Sequence, residues 1–377
     1  MSNGHLEFQS GLFEHLNIAD VERIHSQVIV WLLSQDTPLS EAEKSKFLTS
    51  FLGPGDKTYR AIDAITEFQS IDILIRADDD LFVIENKLKS SQHSNQLETY
   101  KKKIKKNGTG FWMTEGARDP EFYFLTLIGE KAGSGNWTNI GYGQLLKAVR
   151  QIDRVDSHPL ISAYLTSLEN LMEVVNRFNA DHQKFKHVFD DGSLTKWQKA
   201  QRIRSEKYTA TPAEAYIAKC QLETILQKMF MARLAGQLRT RNKLDAEDTV
   251  EISETRGTGL LQIRFKALSF KIGEKPFHMG VQLQGRSFKI NMMADEYSSS
   301  KKKWISDAAR NAFEAVAKEN KLRFNDSRSK AYLSMSKKKC NRLKDLYEYS
   351  FDELVECIDG ECEKALLICA DLWPRIE

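Results

Sequence analysis

IDILIRADDDLFVIENKL, residues 71–88, decides how the first half of the chain folds. Ile71, Ile73 and Ile75 alternate with Asp72, Leu74 and Arg76, which is the period of a strand with two unlike faces. Leu81 to Ile84 is an unbroken apolar run of the kind a buried strand carries. Asp78, Asp79 and Asp80 make a short polar turn between the two. With Arg76 facing Leu81, the hairpin places Asp72 opposite Glu85, and Lys87 points to the same face two residues on. Carboxylates opposed across a hairpin repel and cost stability, so the pattern implies something positive between them. A divalent cation suits, because Mg²⁺ is usually held by one or two carboxylates and keeps several waters. A lysine beside such an ion can stabilise charge on a phosphate or orient an attacking water.

Asp72, twelve residues, then Glu85-Asn86-Lys87 resembles the signature of the PD-(D/E)XK nuclease superfamily. Ile71 stands where that signature often has proline, a position commonly replaced. The elements around the hairpin agree with the resemblance. Residues 17–33 read as an amphipathic helix with Asn17 as N-cap, Asp20 in its first turn, and Val21, Ile24, Val28, Trp31 and Leu32 as its buried stripe. Residues 59–68 read as a strand, with Glu67 near its end, where it either points at the site or stays a surface charge. A helix to about 106, a strand over 121–129, a short extended piece and helix over 136–152, and a helix over 158–177 follow. The order implies an α/β fold for the first half, a restriction-endonuclease-like αβββαβ core whose mixed sheet is flanked by helices.

The resemblance implies catalytic roles for Glu22, Asp72, Glu85 and Lys87. It implies Mg²⁺ or Mn²⁺ on Asp72, Glu85 and the backbone carbonyl of Asn86, with Glu22 as a further contributor. By pattern alone Glu22 reads as a solvated helix charge, and His25 reads as a packed histidine rather than a ligand, since hard Mg²⁺ prefers oxygen. Gln96 and Tyr100 share a helix face that either lies on the surface or, as in related nucleases, looks over the site. Lys101, Lys102 and Lys103 open a run of five lysines in six positions, a solvated face that also suits nucleic-acid backbone.

The second half carries no motif for chemistry. Asp190-Asp191-Gly192-Ser193 is a turn signal, so a first domain over 1–185, a linker over 186–210 and an α+β domain over 211–377 are expected. The latter would hold a helix from Thr211-Pro212 to about Arg239, strands over 249–254, 260–266, 277–284 and 287–293, and helices over 304–317 and 351–372. Residues 321–344 contain nine Lys or Arg, Lys337, Lys338 and Lys339 among them, against one acid, Asp326. With Lys301-Lys302-Lys303-Trp304 they form either a solvated face or a nucleic-acid surface.

A chain of 377 residues with 41% hydrophobic content supports two cores, and its net charge of +3 does not by itself identify a partner. No run of eighteen apolar residues occurs, so no membrane span is expected. The start lacks a secretory pattern, and the five cysteines form no metal spacing, which fits a reducing cytoplasm and argues against zinc. The resemblance implies a metal-dependent nuclease, with DNA favoured over RNA as substrate, in defence or mobile-element biology. The alternative is a nucleic-acid-binding sensor on a nuclease scaffold with silent or gated catalysis. Endo- or exonuclease action, protein partners and a homodimeric state stay open.

Overall fold

A computed structural model of the chain describes residues 8, 11–53, 55, 57–68, 70–89, 96–107, 119–132, 135–153, 155–185, 188–189, 211–240, 247–255, 258–272, 275–284, 287–294, 305–325, 332–336 and 349–376. It divides into two compact units, Met1–Arg177 with Lys199–Ile225, and Phe178–Gln198 with Leu226–Glu377. The division differs from the one expected from composition, because the helix opened by Thr211 packs with the first unit. Tyr216 there stacks on Phe8, and its hydroxyl donates to Glu14 at 3.3 Å.

In the first unit, β1 (Ile62–Phe68), β2 (Ile71–Ala77) and β3 (Asp80–Lys87) form an antiparallel meander. Arg76 pairs with Leu81 and Ile73 with Ile84, the register read from the sequence. The turn between β2 and β3 is two residues long, with Asp78 at φ 49°. Its acids are tied to the chain that leads into β1. Asp78 Oδ1 accepts the Ala61 N–H at 2.9 Å, and Asp80 accepts from Lys57 at 2.7 Å and from the Tyr59 hydroxyl at 2.9 Å. Parallel strands β4 (Glu121–Thr126) and β5 (Thr138–Gly141) complete a mixed sheet in the order β1-β2-β3-β4-β5. A parallel neighbour needs a crossover, and the connection from β3 to β4 contains a helix.

The helices before the sheet are α1 (Leu12–His15), α2 (Glu22–Leu33) and α3 (Glu41–Leu52); α4 (Gln96–Asn107) lies in the crossover, and α5 (Tyr142–Arg150) and α6 (Pro159–Ala180) follow β5. Leu74, Leu81, Val83 and Phe124 on one sheet face pack with Leu97, Tyr100 and Trp137. Ile73, Ile75, Phe82 and Ile84, all fully buried, form the other face, against which α2 packs. Each such side chain contributes roughly 1.5–3 kcal/mol on leaving water. A capping box between Ser40 and Glu43 starts α3, and Gly53 at φ 69°, a conformation costly for residues with a Cβ, ends it.

The expected helix over 17–33 is corrected at its start. Asn17 takes φ 55°, which ends α1 and breaks the helical path, so α2 begins at Glu22 with Val21 as its cap. Asp20 is therefore outside the helix, where it pairs with Lys89. The buried residues of α2 are His25, Ser26, Ile29, Leu32 and Leu33, a stripe rotated from the expected one, and Val21 is exposed. Beyond Thr211, Gln221 at φ 51° splits the expected long helix into α7 (Pro212–Lys219) and α8 (Glu223–Thr240).

The second unit holds an antiparallel sheet made of β6 (Thr249–Thr255), β7 (Thr258–Ile272), β8 (Lys275–Gln284), β9 (Ser287–Ala294), β10 (Arg323–Asn325) and β11 (Tyr332–Ser336), in the order β10-β11-β9-β8-β7-β6. Two helices, α9 (Asp307–Glu319) and α10 (Phe351–Leu372), pack on it. The α+β class is as expected. Strands β10 and β11 fall inside the basic stretch that sequence reading treats as a charged surface. There Phe324, Leu333 and Met335 supply the apolar positions. No helix of the described residues is long and apolar enough to cross a membrane.

Candidate active site

One position past the last paired residues of β2 and β3, Asp72 and Glu85 come together. Their mutual interaction holds Asp72 down and pushes Glu85 up. Burial, first, and then the Asp72 charge push Glu85 up to about 7 from its ordinary 4.5. Asp72 is also raised, chiefly by burial, although the Asn86 N–H and Lys87 pull it down. Lys87 Nζ lies 2.7 Å from Glu85 Oε1. Burial alone would depress that ammonium, but Glu85, Asp72 and Glu22 together hold it above its ordinary value. The period-2 geometry of β3 puts the acid and the amine on one face.

Asn86, between them, points to the opposite face and is 1% exposed. Its Nδ2 donates to the Glu22 carbonyl at 3.1 Å and to Ser26 Oγ at 3.0 Å, and its Oδ1 accepts the Tyr142 hydroxyl at 2.9 Å. Its backbone N–H donates to Asp72 Oδ2 at 2.8 Å. One side chain thus ties the first turn of α2 and the first residue of α5 to the strand that carries Glu85 and Lys87. Behind it, His25 is fully buried, with Nε2 2.9 Å from the Ala19 carbonyl and Nδ1 3.1 Å from the Tyr164 hydroxyl. The carbonyl can only accept, so Nε2 carries the hydrogen and Nδ1 accepts from Tyr164. Burial lowers His25 to about 4, which suits a neutral, packed histidine.

The site opens into a cavity of about 230 Å³ lined by Glu22, Arg23, Ser26, Thr66, Glu67, Asp72, Asn86 and Lys87. Glu22 is close enough to act electrostatically on Asp72 and Lys87. Among the described residues, however, no three His, Cys, Asp or Glu side chains group as a metal site. The structure therefore brings Asp72, Glu85 and Lys87 together with Glu22 on the cavity wall. Arg23 and Thr66 are lining residues that sequence reading missed. Glu67, which the sequence already offers as a residue pointing at the site, is on the wall: Thr66 pairs with Ile73 and Phe68 with Ile71, so it occupies the register position across from Asp72.

Tyr100 is 5% exposed and belongs to the apolar cluster under the same sheet face. Lys101 corrects the expectation of a solvated lysine run. It is 8% exposed, pairs with Glu98 at 3.3 Å and lies over the Phe122 ring at 5.8 Å, because its position on α4 turns toward the sheet. Lys102 is exposed. The side chains of Gln96 and Lys103, and Lys337, Lys338 and Lys339, lie outside the described residues.

The donor set fits a hard divalent cation. Two carboxyls come together in a buried place that raises both above their ordinary range, and a cation between them would offset that burial and repulsion. Comparison with known proteins agrees with this chemistry: a family model described as PD-(D/E)XK nuclease superfamily matches residues 10–190. No curated protein and no solved structure matches the chain significantly. The matched span contains the αβββαβ core, the facing acids and the lysine, and over residues 10–190 the chain is similar to the PD-(D/E)XK nuclease superfamily.

Proposed function

We propose that the first unit is a metal-dependent nuclease that hydrolyses phosphodiester bonds, with Mg²⁺ or Mn²⁺ as its ion and DNA as its substrate. The observation that carries this reading is the buried meeting of Asp72 and Glu85 with Lys87 at 2.7 Å. Asp72 and Glu85 would hold the ion, with the Asn86 carbonyl as a further ligand and Glu22 reaching its water shell. When bound, a divalent ion makes water acidic and neutralises phosphate charge.

The chain's own residues supply the rest. The Asn86 N–H orients the Asp72 carboxylate through a 2.8 Å bond, so the acid faces the cavity in one conformation. Glu85 fixes the Lys87 ammonium, which stabilises negative charge on the phosphate as water attacks phosphorus and the P–O bond to the leaving oxygen breaks. Asn86 and Ser26 hold the first turn of α2, and with it Glu22, against this centre. A setting in defence or mobile-element turnover is part of the proposal and rests on the family resemblance alone.

The test is cleavage of linear, nicked, supercoiled and single-stranded substrates, DNA and RNA, by wild type and by Asp72→Asn and Lys87→Ala. Cleavage of DNA by wild type with Mg²⁺ or Mn²⁺, lost in both variants while circular dichroism stays native, supports the reading. Wild-type protein that cuts none of the panel overturns it.

A further inference from the structure

The cavity wall carries two cations, and they differ in what they are free to do. Lys87 is 11% exposed in its side chain and held by Glu85. Arg23, at the second residue of α2, is 65% exposed, and its Nε lies 3.1 Å from Glu67 Oε1. Glu67 is itself 57% exposed, so both partners face water, where such pairs are worth little.

Glu67 is unusual in its backbone. It takes φ 56°, a region that residues with a Cβ seldom adopt, in the middle of a paired stretch of β1 and across from Asp72. Strain of this kind concentrates at functional sites. Glu67 therefore adds an acid to a wall already holding Glu22 and Asp72, and among the described residues that line the cavity Arg23 is the exposed cation that an approaching phosphodiester meets. A guanidinium binds phosphate through two parallel hydrogen bonds, a better match than one exposed carboxylate oxygen.

The geometry points to Arg23 as the residue that binds the substrate phosphate next to the scissile centre, with Glu67 as a resting partner that competes with the phosphate for the guanidinium. This rests on the nuclease reading and adds to it the specific contact for the nucleic-acid backbone.

The experiment measures steady-state cleavage of a fluorescent DNA duplex with Mg²⁺, together with KM at several salt concentrations, for wild type, Arg23→Ala, Arg23→Lys, Glu67→Gln and the Arg23→Ala/Glu67→Gln double variant. Arg23→Ala is expected to raise KM about tenfold or more, the usual loss for a charged hydrogen bond, with a smaller change in kcat. Its salt dependence should fall by about one phosphate contact. Arg23→Lys should restore part of the loss. Glu67→Gln, which releases the guanidinium, should lower KM severalfold, and that gain should vanish when Arg23 is already alanine. A gain from Glu67→Gln that survives in the double variant, or an unchanged salt slope in Arg23→Ala, overturns the inference while wild-type cleavage leaves the nuclease reading standing. Wild-type protein that neither binds nor cuts the duplex removes both.

Discussion

The backbone N–H of Asn86 donates to Asp72 on one face of the sheet, while the side chain of the same residue donates to Ser26 on the other. A single residue therefore registers the acidic pair and the helix that carries Glu22. Deleting it strands Ser26 and the Tyr142 hydroxyl in a buried place, which should cost roughly 2–4 kcal/mol for Asn86→Ala. Tyr142→Phe removes one bond and should cost about 1 kcal/mol. Asn86→Asp turns a donor into an acceptor that faces the Glu22 carbonyl, so it should be worse than alanine. Urea denaturation and kcat measured together check the order, and an Asn86→Asp protein as stable and active as wild type would contradict the clamp.

The Glu85 shift makes a prediction about metal-free protein. Its folded pKa of about 7 exceeds its ordinary 4.5, so the fold favours the protonated form. That contribution is fully present below about 4.5 and is lost as pH rises through about 7. The facing carboxylates should then oppose folding by on the order of a few kcal/mol above neutrality. Added Mg²⁺ should raise the melting temperature more at pH 8 than at pH 6, because protons and the ion compete for the same oxygens. Glu85→Gln should abolish cleavage and also remove this pH-dependent stabilisation by metal. Equal Mg²⁺ stabilisation of wild type and Glu85→Gln would place the ion elsewhere.

His25 has the opposite sign. Its folded pKa of about 4 lies below its ordinary 6.5, so the neutral form is favoured and stability is lost as pH falls between those values. The loss amounts to roughly 3 kcal/mol when complete. His25→Gln keeps polar atoms for Ala19 and Tyr164 but cannot titrate, so its stability should depend less on pH over that window. Denaturation midpoints at pH 7, 6, 5 and 4 decide this; parallel curves for the two proteins would assign the acid sensitivity to other groups.

Two adjacent lysines separate a packing role from a surface role. Lys101 is buried against Phe122 and paired with Glu98, whereas Lys102 is exposed. Lys101→Ala should lower stability by about 1 kcal/mol, through lost packing of its stem and of the ring contact. Lys102→Ala should leave stability within roughly 0.5 kcal/mol and, if α4 meets the nucleic-acid backbone, reduce the salt slope of binding by about one contact. A larger stability loss at Lys102 than at Lys101 would reverse the assignment.

The hairpin was legible because two local signals agree. The alternation from Ile71 and the apolar run ending at Ile84 leave one register that buries both faces, and that register brings Asp72 to Glu85. What escaped sequence reading depends on neighbours distant in the chain. The break at Asn17 is a single left-handed residue in a stretch with acceptable helical spacing. The Asn86 side chain matters only because Ser26 and Tyr142 are brought to it. The burial of Lys101 follows from where Phe122 sits on β4, and β11 is obscured because Leu333 and Met335 stand among basic residues.

The second unit offers a test in which one substitution type should act with opposite signs. At Gly280, on β8, an added Cβ would lie 2.0 Å from the Ile263 carbonyl oxygen, and β7 shifts register just beyond, between Arg264 and Ser269. The obstruction is backbone within a paired ladder, so it cannot turn aside as a side chain could, and Gly280→Ala should cost roughly 2–4 kcal/mol. Gly236, inside α8, has nothing within 4 Å of the same added atom. There alanine only restricts the unfolded chain and favours the helix, so Gly236→Ala should add about 0.5–1 kcal/mol. Chemical denaturation of the two variants beside wild type checks the pair, and it also checks the register of β7 on β8. If Gly280→Ala is tolerated as well as Gly236→Ala, then those strands do not approach as closely as the sheet requires.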